Sequence, residues 1–290
     1  MMLLDYLAAS TTAFYSTLFV VGLAVGSFLN VVIYRLPRRM EQEWKKECRA
    51  LLGLEQPEAS GNFGLVHPRS RCPQCGHAIS PLENIPVLSY LLLRGRCSEC
   101  RCRIPVRYPV VELLTAVCTL LVAWRFGYGA QVAAACLLAW SLIALSGIDL
   151  DFRLLPDDIT LPLLWLGILC NMFGLFVGIR SSLIGVMAGY LLLWGVYRIF
   201  KLATGKEGMG HGDFKLLAML GAWLGWQMIP LIIVLSSTVG AVIGVGAIIL
   251  RRRERSEPIP FGPYLAAAGF VALLWGPQTT AAYLRWTMGG

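Results

Sequence analysis

The sequence predicts an all-α polytopic membrane protein, with about eight transmembrane helices and a small cytoplasmic domain inserted after the first. Three observations lead there. Of 290 residues 57% are hydrophobic and only 14% charged, against roughly 25% charged in an ordinary globular chain. The length alone would suggest two soluble domains, and that composition argues against them. Uncharged runs cover 6–34, 126–148, 159–179, 181–197, 216–250 and 258–284, several of them beyond the ~18–20 residues that cross a bilayer. Third, Lys and Arg gather in alternate connections between these runs, as they do on the cytoplasmic side of membrane proteins.

Taken in order, the spans are expected at 12–34, 108–124, 130–148, 159–179, 182–200, 213–226, 229–250 and 260–278. The first is expected to stay in the protein. It has no basic flank before it and runs into Tyr34-Arg35, not a small-residue cleavage site, so it does not have the form of a removable signal peptide. The second carries Glu112 near its start, which reads as a first-turn acid favoured by the helix dipole. The run 216–250 would make a helix of about 52 Å, too long for a ~30 Å hydrocarbon core, so it is divided at Gly225-Trp226-Gln227 and Pro230. That division leaves the sixth span short, with a re-entrant segment as its alternative.

With the N-terminus outside, all but three of the 25 Lys and Arg residues fall on one side, the exceptions being Arg125, Arg180 and Arg285. The 35–107 loop and the connections at 149–158, 201–213 and 251–259 are then cytoplasmic. A formal net charge of +8 follows from this topology and from attraction to anionic lipid, with no call for nucleic acid as a partner. The expected organisation is a first span at 1–34, a polar domain at 35–107 and a membrane domain at 108–290. Glu41 to Glu58 reads as an amphipathic or irregular surface stretch, and no internal repeat is visible.

The polar domain holds Cys72-Pro-Gln-Cys75 and Cys97-Ser-Glu-Cys100, two of the tight pairs that direct both sulfurs at one ion in four-thiolate zinc sites. Two disulfides or a redox dithiol are the alternatives. A cytoplasmic position argues against structural disulfides, and no thioredoxin-like βαβ pattern surrounds either pair. Some 70 residues poor in apolar side chains need such a staple to fold. Cys102 and Cys48 compete as ligands, Cys118, Cys136 and Cys170 lie inside spans as small apolar packers, and His67 and His77 are expected at the surface.

Ionisable groups at membrane depth are costly and mark function, which singles out Asp149, at the cytoplasmic end of the third span, and Asp213, which ends Gly210-His211-Gly212-Asp213 and opens the sixth. The topology puts both at one face and one depth. Two carboxylates meeting there would divide their ionisation, one charged and one protonated. That is the arrangement that activates water and polarises a peptide carbonyl in aspartic proteolysis. Gly210 and Gly212 would let an extended substrate come close. Alternatively, Asp213 is an N-terminal helix acid and nothing more. Of the neighbours, one of Asp157 and Asp158 is expected to cap the fourth span, Asp151 to be a solvated loop acid, and His211 either to tune Asp213 or to face solvent.

Six strings resemble the type IV prepilin peptidases: GSFLNVVIYRLP (26–37), CPQC (72–75), ENIPVLSYLLLRGRC (83–97), RYPVVELLTA (107–116), IDLDFRLLPD (148–157) and GHGDFKLLAMLGAWLG (210–225). They run through almost the whole chain. The resemblance implies that Asp149 and Asp213 are a catalytic aspartate pair. It implies a bacterial inner-membrane enzyme that cuts the basic leader of type IV prepilins and type II secretion pseudopilins after a glycine, at the cytoplasmic face. It further implies that the new N-terminal residue is methylated from S-adenosylmethionine, in or near the cysteine-bearing loop. No glycine-rich fingerprint marks a site for that donor. Two rival readings remain: a proton-coupled carrier, which predicts acids at the midplane and not at one face, and a membrane thiol-redox protein, which predicts reactive thiols in place of metal-bound ones.

Overall fold

A computed structural model describes residues 6, 8–54, 64–65, 68–206, 208–250 and 260–287. His67, Glu58 and the basic cluster from Arg251 to Arg255 lie outside the described residues. The chain divides into two units, Met1–Tyr128 and Gly129–Gly290, and the described secondary structure is helical apart from two isolated β-bridges.

In the first unit, helix α1 spans Thr11–Leu51. Its N-terminus is capped by Ser10, whose hydroxyl accepts the Ala13 N–H at 3.3 Å. The helix continues well past the expected end of the first span at 34, through buried Pro37 and an exposed charged stretch braced by the i,i+4 pairs Arg39–Glu43 and Lys45–Glu41. Helix α2, Leu88–Leu92, is a short piece on the loop, and α3 is Arg107–Phe126. Small residues let α1 and α3 touch by their backbones. A Cβ on Gly22 would lie 2.7 Å from the Ala116 α-carbon, and one on Gly26 would lie 2.6 Å from the Glu112 α-carbon. This is the four-residue glycine spacing that replaces hydrophobic driving force between helices in lipid. Asn30 locks the crossing, donating to Gly26 O at 3.3 Å and Tyr108 O at 3.1 Å.

Glu112 is not the first-turn acid expected of it. It lies more than a turn into α3, is buried, and accepts the Val87 N–H at 2.7 Å. Val87 sits at φ 59, a left-handed conformation unfavourable for a β-branched residue, so the carboxylate holds a strained backbone in place.

The second unit contains α4 (Ala130–Phe152), α5 (Asp157–Met172), α6 (Ile179–Thr204), α7 (His211–Leu224), a 3-10 turn at Trp226–Met228, α8 (Ile229–Ile249) and α9 (Gly262–Thr287). Helix α7 is its core, with eleven of 14 residues buried. On α6, Gly185 meets Gly221 backbone to backbone, and a Cβ on Gly189 would stand 2.7 Å from Leu217 O. The carbonyls at the end of α7 are satisfied by side chains: Asn171 donates to Ala222 O at 2.7 Å and Trp223 O at 3.1 Å, and Ser182 donates to Ala222 O at 2.6 Å. A helix whose last carbonyls are met this way ends inside protein.

Five helices among the described residues are long and apolar enough to cross a membrane: α1, α3, α4, α6 and the stretch Trp226–Gly246. The count of eight is therefore reproduced only in part. At 16 and 14 residues, α5 and α7 fall short of the ~20 that an unaided crossing takes. For α7 the reason is physical: its sides and its end face protein, so bilayer thickness does not set its length.

Candidate active site and metal centre

Three helix ends converge in the second unit. Asp149 is on the last turn of α4, which stops at Arg153 in a left-handed cap at φ 55. Asp213 is the third residue of α7, after the N-cap Gly210. Gly262 opens α9. Asp149 and Asp213 are 5% and 7% exposed, so both carboxylates are withdrawn from bulk solvent. Asp149 Oδ2 accepts the Gly262 N–H at 3.0 Å. The Asp213 N–H donates to Gly210 O at 3.3 Å, and a Cβ on Gly210 would stand 3.9 Å from Asp213 Oδ2, so the N-cap lies beside the carboxylate. Leu155 packs against the glycine beside each acid: a Cβ on Gly212, next to Asp213, would stand 2.8 Å from its Cβ, and one on Gly262, bonded to Asp149, would stand 3.2 Å from its Cδ2.

The neighbouring acids separate from this pair. Asp157 and Asp158 occupy the first turn of α5, and the N-cap is Pro156, with no side-chain cap bond. The expectation that one of them caps the helix is thus corrected: the proline, with its fixed φ and its own carbonyl, takes that place. Asp157 instead pairs with Lys215 through contacts of 2.6 and 2.8 Å, and Asp151 is exposed on α4. His211, exposed at the start of α7, lays its ring against Tyr197 and Phe214 at centroid distances of 5.3 and 5.5 Å. Sequence reasoning missed Gly262. The available signal was Pro260-Phe261-Gly262-Pro263, a turn-forming string abutting an apolar run.

In the first unit the cysteines form two knuckles with one backbone plan. Cys72 N–H donates to His77 O and Gly76 N–H to Cys72 O, both at 2.9 Å; Cys97 N–H donates to Cys102 O at 2.9 Å and Arg101 N–H to Cys97 O at 3.1 Å. The bridges Arg71–Ala78 and Arg96–Arg103 close the two turns. Gly76 and Arg101 hold the same left-handed position, at φ 73 and 56. A short repeat is therefore present that the sequence alone did not reveal, because the second copy carries Arg where the first carries Gly.

The sulfurs gather. Cys72 Sγ is 3.7 Å from Cys100 Sγ and 3.6 Å from Cys102 Sγ, and Cys75 Sγ is 4.0 Å from Cys97 Sγ. Ligand atoms of Cys72, Cys97, Cys100 and Cys102 all lie within 4.8 Å of one another. A tetrahedral four-thiolate zinc site with Zn–S of about 2.3 Å has sulfur–sulfur edges of about 3.8 Å, so the donor set and its spacing fit that ion. Cys72, Cys97 and Cys100 of the expected set are in the group, with Cys102 as its fourth member and Cys75 beside it. Cys48 is exposed on α1, whereas Cys118 and Cys136 are buried in helices. Backbone N–H groups of Cys75 and Gln74 hold the Cys72 thiol down to about 6, which favours the thiolate that binds metal. Glu83 joins the two knuckles. Bonds from the Ser98 hydroxyl, the Ser80 N–H and the Ser80 hydroxyl hold its carboxyl down to about 2, and His77 Nε2 lies 3.3 Å away.

Comparison with known proteins gives a consistent picture. The family described as bacterial peptidase A24 N-terminal domain matches residues 20–126, and the type IV leader peptidase family matches 136–245. A prepilin leader peptidase/N-methyltransferase of Pseudomonas aeruginosa is 57% identical over 285 residues, covering 98% of each chain. One from Stutzerimonas stutzeri is 55% identical over 281 residues, 97% of each, and one from Legionella pneumophila is 44% identical over 267 residues, 92% of this chain and 93% of that one. No solved structure matches the chain.

Proposed function

This chain belongs to the type IV leader peptidase family, and from that membership we propose that it is a membrane aspartic endopeptidase and N-methyltransferase of type IV prepilins and type II secretion pseudopilins. The observation that carries the peptidase half is that two buried carboxylates, Asp149 and Asp213 at the ends of α4 and α7, sit beside Gly262 and Gly212, which both pack on Leu155. With one carboxylate ionised and one protonated, the ionised member takes a proton from water as the water oxygen attacks the scissile carbonyl carbon. The protonated member hydrogen-bonds the carbonyl oxygen as charge develops there. When the carbon–nitrogen bond breaks, the proton taken from water passes to the departing amine. The buried Gly262 N–H holds the Asp149 carboxylate without adding a charge of its own.

The family names of the relatives carry the second activity, methyl transfer to the freed amine. S-adenosylmethionine supplies a methyl group bonded to a positively charged sulfur. A neutral N-terminal amine would take that methyl as the carbon–sulfur bond breaks, and would then lose a proton. This chemistry belongs to the 35–107 domain in the reading adopted here, with 1–34 as the first span and 108–290 as the peptidase domain. Cys72, Cys97, Cys100 and either Cys75 or Cys102 would hold zinc, which would clamp the two knuckles and supply folding energy, not catalysis.

The protein is placed in the bacterial inner membrane with the aspartate pair at the cytoplasmic face, supported by the one-sided distribution of Lys and Arg. Helices α5, α7 and α9 complete eight crossings in this reading. The decisive experiment is incubation of the purified full-length protein with a prepilin and S-adenosylmethionine, followed by mass spectrometry of the product N-terminus. The expected product has lost its leader and gained one methyl group; an intact prepilin would refute the peptidase assignment.

A further inference from the structure

The last helix enters the site through a residue that takes no charge. Gly262, the first residue of α9, is buried and donates its N–H to Asp149 Oδ2 at 3.0 Å. It has no room for a side chain on that side: a Cβ would stand 2.6 Å from Asp149 Oδ2 and 3.2 Å from Asp149 Cγ. Asp149 has little freedom to retreat, since its side chain is short and buried on the final turn of a packed helix.

We propose that Gly262 is a positioning residue for peptide cleavage, its N–H and its bare α-carbon together setting the height and rotation of the Asp149 carboxylate. This rests on the reading of Asp149 and Asp213 as the catalytic pair. The contact differs from those of Gly185 and Gly189, which meet backbone, and of Gly269, which meets the Leu220 side chain. Those contacts serve helix packing. At Gly262 the partner is a carboxylate oxygen, and the bond to it does a different job. A carboxylate left to itself rotates about its last torsion and exchanges its two oxygens. With Oδ2 committed to a fixed N–H donor, Oδ1 alone is left to exchange protons, in one direction. The donor stays in place as the proton moves, so it costs no rearrangement during the reaction.

Gly262→Ala in the full-length enzyme tests this directly. A carboxylate displaced by a fraction of an ångström to 1 Å loses about 100-fold in kcat. KM stays within about threefold, because an interaction with a catalytic group and not with the substrate has been disturbed. The pH profile of kcat is expected to move as well, because the group that titrates has a new environment. Methylation of a pre-cleaved pilin and an unchanged unfolding temperature report that the variant is folded. As a control on the same helix, Gly276→Ala meets chiefly the Met228 sulfur, a flexible thioether, and cleavage stays within about twofold of wild type.

A second variant separates positioning from packing. Leu155→Ala removes the other atom that a Cβ at 262 would crowd while leaving the carboxylate collision intact. The Leu155→Ala/Gly262→Ala protein should therefore remain as slow as Gly262→Ala. Recovery to the level of Leu155→Ala alone would show that the glycine serves packing and would overturn the proposal, as would wild-type kcat and pH profile in Gly262→Ala. If Asp149→Asn itself cleaves, the catalytic pair is misassigned and the proposal falls with it; if Asp149→Asn is inactive while Gly262→Ala is normal, the proposal alone fails.

Discussion

The Glu112 carboxylate accepts the Val87 N–H at 2.7 Å, fastening a strained residue of the cysteine-bearing loop to the buried face of α3. Glu112→Ala leaves that N–H without its partner and opens a void, at a cost of about 1–3 kcal/mol in the first unit. Glu112→Gln keeps an acceptor oxygen and should lose much less. Hydrogen exchange across 83–97 in the two full-length variants checks this, with faster exchange expected in the alanine variant; equal protection in both would show the bond to be dispensable.

For the carboxylate pair, Asp149→Asn and Asp213→Asn should each abolish prepilin cleavage while the protein stays folded in the membrane, because neither amide can exchange a proton as a carboxyl does. Asp151→Asn and Asp158→Asn should retain much more activity. Asp157→Asn should also remain active, since the Lys215 pair is partly exposed and such pairs contribute about 0–1 kcal/mol. Cleavage rates on a single prepilin decide it, and substantial residual activity in either member of the pair would remove the dyad.

One zinc ion per chain is expected, and the structure sharpens which thiols matter. Cys72→Ser, Cys97→Ser and Cys100→Ser should each lose metal, since three remaining ligands make an open, weaker site. The comparison between Cys75→Ser and Cys102→Ser identifies the fourth ligand: the one that releases zinc on purification holds it. Metal analysis showing an active, metal-free wild-type enzyme would refute the site.

Glu83 makes a pH prediction with a definite sign. Its carboxyl is held down to about 2, below its ordinary value of about 4.3, so the folded state favours the ionised form. The stability it contributes is present above about pH 4 and disappears as pH falls from there through about 2. Zinc release also acts in acid, so the informative quantity is the difference between wild type and Glu83→Gln. Protection of 72–102 from hydrogen exchange should be greater in wild type at pH 7 and converge with the variant near pH 2. A gap that persists undiminished at pH 2 would assign the effect to something other than the carboxylate.

Cleavage and methylation should separate. Asp213→Asn is expected to methylate a pre-cleaved pilin, whose amine no longer needs the pair. Gly95 is at φ 66, and a Cβ there would meet the Tyr90 hydroxyl at 2.8 Å, so Gly95→Ala distorts the turn leading into the second knuckle. That variant should lose methylation more than cleavage. Parallel loss of both activities in both variants would indicate one coupled active site.

Much of this protein follows from its sequence alone, because the determining terms are local or additive. Long apolar helices follow from uncharged runs, and the glycine-bearing segment around Asp213 and the paired cysteines from short spacings. Asp149 and Asp213 stood out because a carboxylate near apolar helix is expensive wherever it folds. Tertiary structure decided what depends on distant partners. Only packing shows that α7, with its 14 residues, is shielded by protein, so that bilayer thickness does not set its length. Only the turning of two knuckles onto one centre places Cys102 with Cys72, Cys97 and Cys100, since sulfur distances are set by backbone twist and not by spacing. The partners of Glu112 and Asp149 are backbone N–H groups, of Val87 and Gly262, and a backbone donor looks the same in every sequence. It acquires a role through position, and position is what folding supplies.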